Sequence, residues 1–195
     1  MSDFTWSAHN IGTMADFLSA AECDDYIRLG ETAGFDEAPI STAQGMVIMK
    51  DVRNNERVMF DDHERTQALY ERLAPHLSPL FQKKWAPVGL NERLRLYRYD
   101  VGQLFDWHYD GHFARSNGQR SMFTFMVYLN DDFEGGATSF SLVGYGVASI
   151  GDMIRITPRK GMALLFHHPI LHRGDTVTAR RKYVLRTDVM YGRCA

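Results

Sequence analysis

The chain has 195 residues, 45% of them apolar and 24% charged, with a formal net charge of −2. This is the composition of an ordinary globule with room for one real core, and the near-neutral charge argues against general nucleic-acid affinity. Two cysteines do not make a disulfide framework, no apolar run approaches the length of a membrane span, and the N-terminus lacks a basic-then-apolar leader pattern, so the expected setting is reduced and cytoplasmic with no membrane partner.

In chain order, Ser19 and Glu22 form a capping box, with Leu18 placed to staple against Cys23. Cys23, Tyr26, Ile27 and Gly30 trace one face of the helix that follows, and Gly34 ends it. Arg53-Asn54-Asn55-Glu56-Arg57 reads as a solvated polar loop. A second helix starts near Asp61 or Asp62, turns Ala68, Leu69 and Leu73 inward, and ends or bends at Pro75. Strands then take over: alternating Leu94 to Tyr99, a turn at Asp100 and Gly102, then Leu104 to His108, Phe123 to Leu129 and Ala137 to Phe140. Pro158 to Gly161 is a turn before the apolar strand Met162 to Phe166, and Lys182 to Tyr191 is strand-like throughout. The expected organisation is one mainly β (α+β) domain over residues 1–195, with helical support over about 1–85 and a β core over about 86–191.

The chemistry concentrates in His108-Tyr109-Asp110 and the distant His172. On a strand, side chains two apart share a face, which puts His108 and Asp110 about 6.5–7 Å apart at Cα and turns Tyr109 away. Two imidazoles and one carboxylate leave coordination positions open, which suits non-heme Fe(II) oxygen chemistry rather than a closed structural site. The chain has eight histidines. His9, His63 and His76 read as surface residues, while His167 and His168 compete with His172 for the distal place.

The segments Tyr99 to Asp110, Tyr128-Leu-Asn-Asp with Phe133-Glu-Gly-Gly136, Ala163 to Phe166, His172 to Val177 and Lys182 to Arg186 resemble, in order, the prolyl 4-hydroxylase-like branch of the Fe(II)/2-oxoglutarate-dependent dioxygenases. Phe17 to Cys23 and Val52 to Arg57 are similar to segments of its small bacterial members. The resemblance implies a double-stranded β-helix (jelly roll, cupin-like) with supporting N-terminal helices. It implies that His108, Asp110 and His172 bind Fe(II), and it prefers His172 because Gly174, Val177 and Lys182 stand at the family's offsets from it. It also implies that a basic residue ten places on, Lys182, holds the far carboxylate of 2-oxoglutarate. Arg186 shares the face of Lys182 and is the alternative, whereas Arg181 points away. Arg180 stands where the family often has Gly.

By the same resemblance Tyr99 and Tyr128 line the cosubstrate pocket, and Asn55, Arg57, Arg95 and Tyr97 border the substrate; His112, two past Asp110, is a further substrate neighbour. The implied reaction consumes O2 and 2-oxoglutarate, with ascorbate as a reductant, and releases succinate and CO2. The carboxylate Asp110 points to hydroxylation. The substrate class spans a prolyl residue of a peptide, an amino acid and a small metabolite. Three rivals stand beside this reading: a nucleic-acid demethylase of the same superfamily, a cupin-type metal protein that does not use 2-oxoglutarate, and a non-enzymatic jelly-roll module.

Overall fold

The computed structural model describes residues 4–42, 45–143 and 152–194. A short hairpin opens it, β1 (Thr5–Trp6) against β2 (Ile11–Met14). Helix α1 (Ala20–Ala33) begins with the expected capping box: the Ser19 hydroxyl accepts from the Glu22 amide, and the Glu22 carboxylate accepts from the Ser19 amide at 2.7 Å. Gly34 ends it, its N–H reaching Gly30 O. Next come β3 (Asp36–Glu37), β4 (Ile40–Thr42), β5 (Gly45–Val47) and β6 (Glu56–Asp61). Helix α2 (His63–Leu73) is capped by Asp62 and passes into a 3-10 turn at Ala74–His76, where Pro75 stops it. The remaining strands are β7 (Trp85–Leu90), β8 (Arg93–Tyr99), β9 (Phe105–His108), β10 (Arg120–Tyr128), β11 (Glu134–Gly135), β12 (Thr138–Ser141), β13 (Met153–Ile156), β14 (Ala163–His167), β15 (Leu171–Gly174), β16 (Val177–Ala179) and β17 (Lys182–Arg193).

Among the described residues, all the strand pairs that build the sheets are antiparallel. The larger sheet runs β1-β2-β14-β10-β17-β8-β6-β3, with β7 also on β17. The smaller runs β13-β12-β15-β9. Side-chain alternation along each strand of the large sheet feeds two cores. One face (Leu94, Leu96, Phe125, Val127, Leu185, Val189) packs with Cys23, Tyr26, Leu69 and Leu73 of the helices. The opposite face (Tyr97, Tyr99, Tyr128, Leu164, Phe166, Val184) packs with Phe140, Ile154 and Ile156 of the small sheet. Phe140 and Phe166 meet edge-on at 5.0 Å across this sandwich. Two facing sheets backed by helices on one side form the double-stranded β-helix that the resemblance implied. No helix of the described residues is long and apolar enough to cross a membrane.

Three expectations need correction. The first 85 residues are not simply helical support, because β2 and β6 are integral strands of the large sheet, on β14 and β8 respectively. The inner face of α2 is Thr66, Leu69 and Leu73, and Ala68 is exposed. Thr66 tolerates burial because its hydroxyl donates back to Asp62 O at 2.7 Å. Arg53 to Arg57 is not a solvated loop: Arg53 and Asn55 are buried, and Glu56 and Arg57 open β6.

One junction holds the helices to the sheet. The Gly161 amide donates to Tyr128 O at 2.8 Å, and Gly161 O accepts from the Leu18 amide at 3.1 Å. Gly161 has φ +79, and a Cβ there would lie 2.2 Å from Leu18 O. Left-handed backbone costs a non-glycine residue about 1–2 kcal/mol before any clash. Gly161→Ala is therefore expected to destabilise by at least about 2 kcal/mol, lowering Tm by roughly 4–8 °C for a chain of this size. A melting curve superimposable on wild type would refute this.

Candidate active site

His108 ends β9 and His172 lies on β15, paired directly across the small sheet. Their rings are 4.2 Å apart between centroids. His108 Nδ1 lies 2.7 Å from Asp106 O and His172 Nδ1 lies 2.9 Å from Ile170 O. A carbonyl oxygen only accepts, so each Nδ1 carries the proton and each Nε2 keeps its lone pair for a metal. Phe105 stacks on His108 at 3.5 Å and Phe166 packs edge-on to His172 at 4.5 Å, fixing both rings. Burial, reinforced by His172, pushes His108 down to about 3. Burial also lowers His172, against the pull of Asp110. Both imidazoles are thus neutral, the form a ligand needs.

Asp110 reaches the same point by another route. It lies past the end of β9, not on the strand, so alternation does not place it. The large sheet holds it instead: Thr124 Oγ1 on β10 donates to Asp110 Oδ2 at 2.5 Å, and Arg186 Nη2 on β17 lies 3.0 Å from Oδ1. Burial would raise its pKa, but Arg186 and the two histidines outweigh that and hold the carboxyl well below its usual range. The Nε2 atoms of His108 and His172 lie 3.8 and 3.6 Å from its oxygens. The three donor atoms all fall within 4.8 Å of one another. Neutral imidazoles, an ionised carboxylate and tethered rings fit a divalent iron with open positions.

On β17 the residues facing between the sheets are Lys182, Val184, Arg186 and Asp188, which put three charged side chains on the inner face of a largely apolar strand. Arg186 bridges Asp110 and Asp188, with Asp188 Oδ1 at 3.3 Å. Asp188 also meets Arg95 at 3.3 Å and stands 3.6 Å from His168 Nε2. His168 is therefore behind Asp188 rather than at the metal position, buried and, among the described residues, with neither ring nitrogen hydrogen-bonded. Thr124 and Asp188 were not among the expected site residues. A position on the face of Lys182 and Arg186 signals Asp188, but nothing local in the sequence signals Thr124. Asp188→Asn is expected to loosen Arg186 and Asp110 and to weaken metal binding about 10–100-fold, the usual scale for residues that orient a ligand. Titration with Mn(II) followed by electron paramagnetic resonance would measure it; unchanged affinity would deny Asp188 this role.

Lys182 is 2% exposed. Its Nζ donates to Gly136 O at 2.6 Å and lies 5.0 Å from the centroid of Tyr99 and 5.5 Å from that of Tyr128. Gly136, at φ +59, leaves room for the stem, since a Cβ there would sit 3.1 Å from Lys182 Cδ. Among the described residues no carboxylate lies within ion-pair distance of Lys182, and burial pushes its ammonium from 10.5 down to about 7, with distant Asp175 opposing. Arg186 differs in being already neutralised, and Arg181 points outward to Asp100 at 2.6 Å as strand alternation required. Arg180 adopts φ 61, the left-handed conformation for which the family's glycine is suited.

Tyr99, Tyr97, Lys182, Arg186 and the three candidate ligands line one cavity. The Tyr128 hydroxyl lies behind it, 2.6 Å from Thr138 Oγ1. Tyr97 is brought down to about 8: burial opposes the shift, but Arg186, Arg53 and Arg95 surround the phenol. Arg57, opposite Tyr97 in the register, and Arg95 lie on the same strand face. Asn55 is turned toward Arg53, accepting its Nε–H at 2.8 Å. His112 is not in this cavity; it is exposed and lines a separate concavity with Trp85, Arg120 and His167.

A facing pair of antiparallel sheets with two histidines and a carboxylate at one end defines the jelly-roll class of mononuclear metal proteins. Residues 94–187 match the 2OG-Fe(II) oxygenase superfamily. Prolyl 4-hydroxylase 1 of Arabidopsis thaliana is 29% identical over 171 residues, 83% of this chain and 58% of that protein, and prolyl 4-hydroxylase 5 of the same plant is 24% identical over 77% of the chain and 55% of its own length. The chain thus spans little more than half the length of these relatives. Among solved structures, a Pseudomonas putida prolyl-4-hydroxylase superposes with a TM-score of 0.64 at 16% identity, covering 93% of this chain and 92% of that one. The viral collagen prolyl hydroxylase of Paramecium bursaria Chlorella virus-1, a 2-oxoglutarate complex, gives 0.61 at 21% identity over 95% and 97%. A Trichoplax adhaerens prolyl hydroxylase in complex with a peptide fragment of the hypoxia inducible factor oxygen degradation domain gives 0.66 at 16% identity over 93% and 84%. Over residues 94–187 the chain is thus similar to the 2OG-Fe(II) oxygenase superfamily, and the relatives and solved structures it resembles are prolyl 4-hydroxylases.

Proposed function

We propose that the chain acts as one Fe(II)/2-oxoglutarate-dependent dioxygenase domain that hydroxylates a peptide or a small molecule. The observation that carries this is the pairing, in one cavity, of two neutral imidazoles, His108 and His172, and the ionised Asp110 with Lys182, a buried cation that, among the described residues, has no carboxylate within ion-pair distance. When bound, Fe(II) with 2-oxoglutarate and O2 supplies the C–H oxidation, the cosubstrate leaving as succinate and CO2.

The protein's own share is position and charge. His108 and His172, held through Nδ1, present Nε2; Asp110, held by Thr124 and Arg186, presents an ionised oxygen. Lys182 would hold the far carboxylate of the cosubstrate beside the Tyr99 ring, where low exposure strengthens the ion pair. A role for ascorbate as reductant and a cytoplasmic location belong to the same reading. The cupin-type rival differs at Lys182: a metal protein that ignores 2-oxoglutarate has no use for that charge.

The test is succinate formation from 2-oxoglutarate in air, with and without added iron, across prolyl peptides and amino acids. Iron-dependent succinate release that His172→Ala abolishes is the expected result. Intact 2-oxoglutarate alongside iron-dependent O2 consumption would sink the reading in favour of the cupin-type one.

A further inference from the structure

A second set of cations packs around two rings that line the same cavity, and among the described residues it has no carboxylate within ion-pair distance. Arg53 is 5% exposed. Its guanidinium lies 4.8 Å from the centroid of Tyr97 and 4.4 Å from that of Phe105, both cavity-lining rings. Its Nε donates to Asn55 Oδ1 at 2.8 Å, and Asn55 in turn donates through Nδ2 to Glu56 O at 2.9 Å. Its Nη2 is buried and, among the described residues, has no hydrogen-bond partner. A buried, permanently charged donor left unsatisfied costs at least about 1–3 kcal/mol, and such groups in native proteins usually have an absent acceptor.

Among the described residues, the surroundings supply no such acceptor. Arg57 projects from β6 on the face of Tyr97 and Arg95. Among the described residues, neither Arg53 nor Arg57 has a carboxylate within ion-pair distance. The acidic groups on this face, Asp110 and Asp188, are taken by Arg186 and Arg95. Burial and the neighbouring Arg53, Arg95 and Arg186 all act against the charge of Arg57, with only Tyr97 favouring it. Lys182, beside the Tyr99 ring, is assigned to the cosubstrate by the proposed reading. Arg53 and Arg57 therefore form an anion subsite held in place by Asn55 and by two aromatic rings, and guanidinium forks match a carboxylate.

We propose that the substrate carries a carboxylate that Arg53 and Arg57 bind, so that the preferred substrate is a carboxylic acid and not an uncharged interior residue of a peptide. This rests on the proposed dioxygenase reading. A free amino acid and a peptide's C-terminal residue share that chemistry, and the test separates them.

The experiment titrates the anaerobic wild-type protein, loaded with Fe(II) and saturating 2-oxoglutarate, while following the visible charge-transfer band. The probes are L-proline, L-leucine, L-aspartate and N-acetylglycyl-L-proline, each beside its amide. At least one acid is expected to perturb the band at a concentration where its amide does not. A response to the free amino acids assigns a small metabolite, and a response to N-acetylglycyl-L-proline alone assigns a chain terminus. Arg57→Met, at a half-buried position that folding tolerates better than buried Arg53→Met, is expected to weaken the acid at least about 30-fold and leave the amide unchanged, the scale for losing one partner of a desolvated charge pair. Equal responses to acids and amides, no response to any acid, or acid binding that survives Arg57→Met and Arg53→Met overturns the inference. If the band never forms in wild type, the dioxygenase reading has failed instead.

Discussion

Lys182→Met is expected to cost 2-oxoglutarate affinity about 30- to 4,000-fold while leaving the unliganded protein as stable as wild type or more stable. The first half follows from removing one member of a buried charge pair, typically 2–5 kcal/mol. The second follows from the free protein, where, among the described residues, the Lys182 ammonium has only Gly136 O as a hydrogen-bond partner and is pushed down to about 7 by burial. Methionine fills the same space without a charge to desolvate. The pH dependence has a definite sign. In the free protein the group is protonated below about 7, and a bound carboxylate raises its pKa. Affinity is therefore full below pH 7 and falls about tenfold per pH unit above it, until the pKa of the complex is reached. Calorimetric titration of 2-oxoglutarate between pH 6 and 9 checks this. A slope that persists in Lys182→Met would assign the titration to another group, and wild-type affinity in that variant would remove Lys182 from the cosubstrate site.

Asp110→Ala is expected to do the opposite to the free protein. Arg186 is buried against Asp110 at 3.0 Å and Asp188 at 3.3 Å. Deleting Asp110 leaves a buried guanidinium with half its counter-charge, and breaking such a pair costs about 3–5 kcal/mol. Because Asp188 remains, the lower end applies. Iron binding should fall by more than the 10–100-fold typical of a supporting residue, since a ligand itself is lost. Urea unfolding of the metal-free proteins and a metal titration measure the two effects separately. A variant that keeps wild-type stability would mean that Asp188 alone satisfies Arg186.

What the chain discloses before folding divides along the range of the interactions. The Ser19–Glu22 capping box, the end of α1 at Gly34 and the strands over Leu94 to Tyr99 and Lys182 to Tyr191 are local patterns, and each is found where the residues place it. His172 stands across from His108 as the family resemblance implied, whereas the residue pattern alone left His167 and His168 as competitors. The placement of Asp110 does not follow from strand alternation, because Thr124 and Arg186, which hold it, are remote in sequence and belong to the other sheet. Short strands such as β2 and β6 carry too little alternation to reveal themselves, and they form because β14 and β8 offer them edges. Arg53 looks like a solvated arginine until Tyr97 and Phe105, more than forty residues away, enclose it. Thr66 looks less apolar than Ala68, yet a backbone hydrogen bond and its place three before Leu69 put it inside.

The most direct test of the site is an anaerobic titration of Fe(II) and then 2-oxoglutarate into metal-free protein, watched through the visible charge-transfer band, in wild type, His172→Ala and Lys182→Met. A saturable band in wild type, absent in His172→Ala and shifted to much higher 2-oxoglutarate concentration in Lys182→Met, is the predicted result. Bound iron without a band in folded wild-type protein would contradict it.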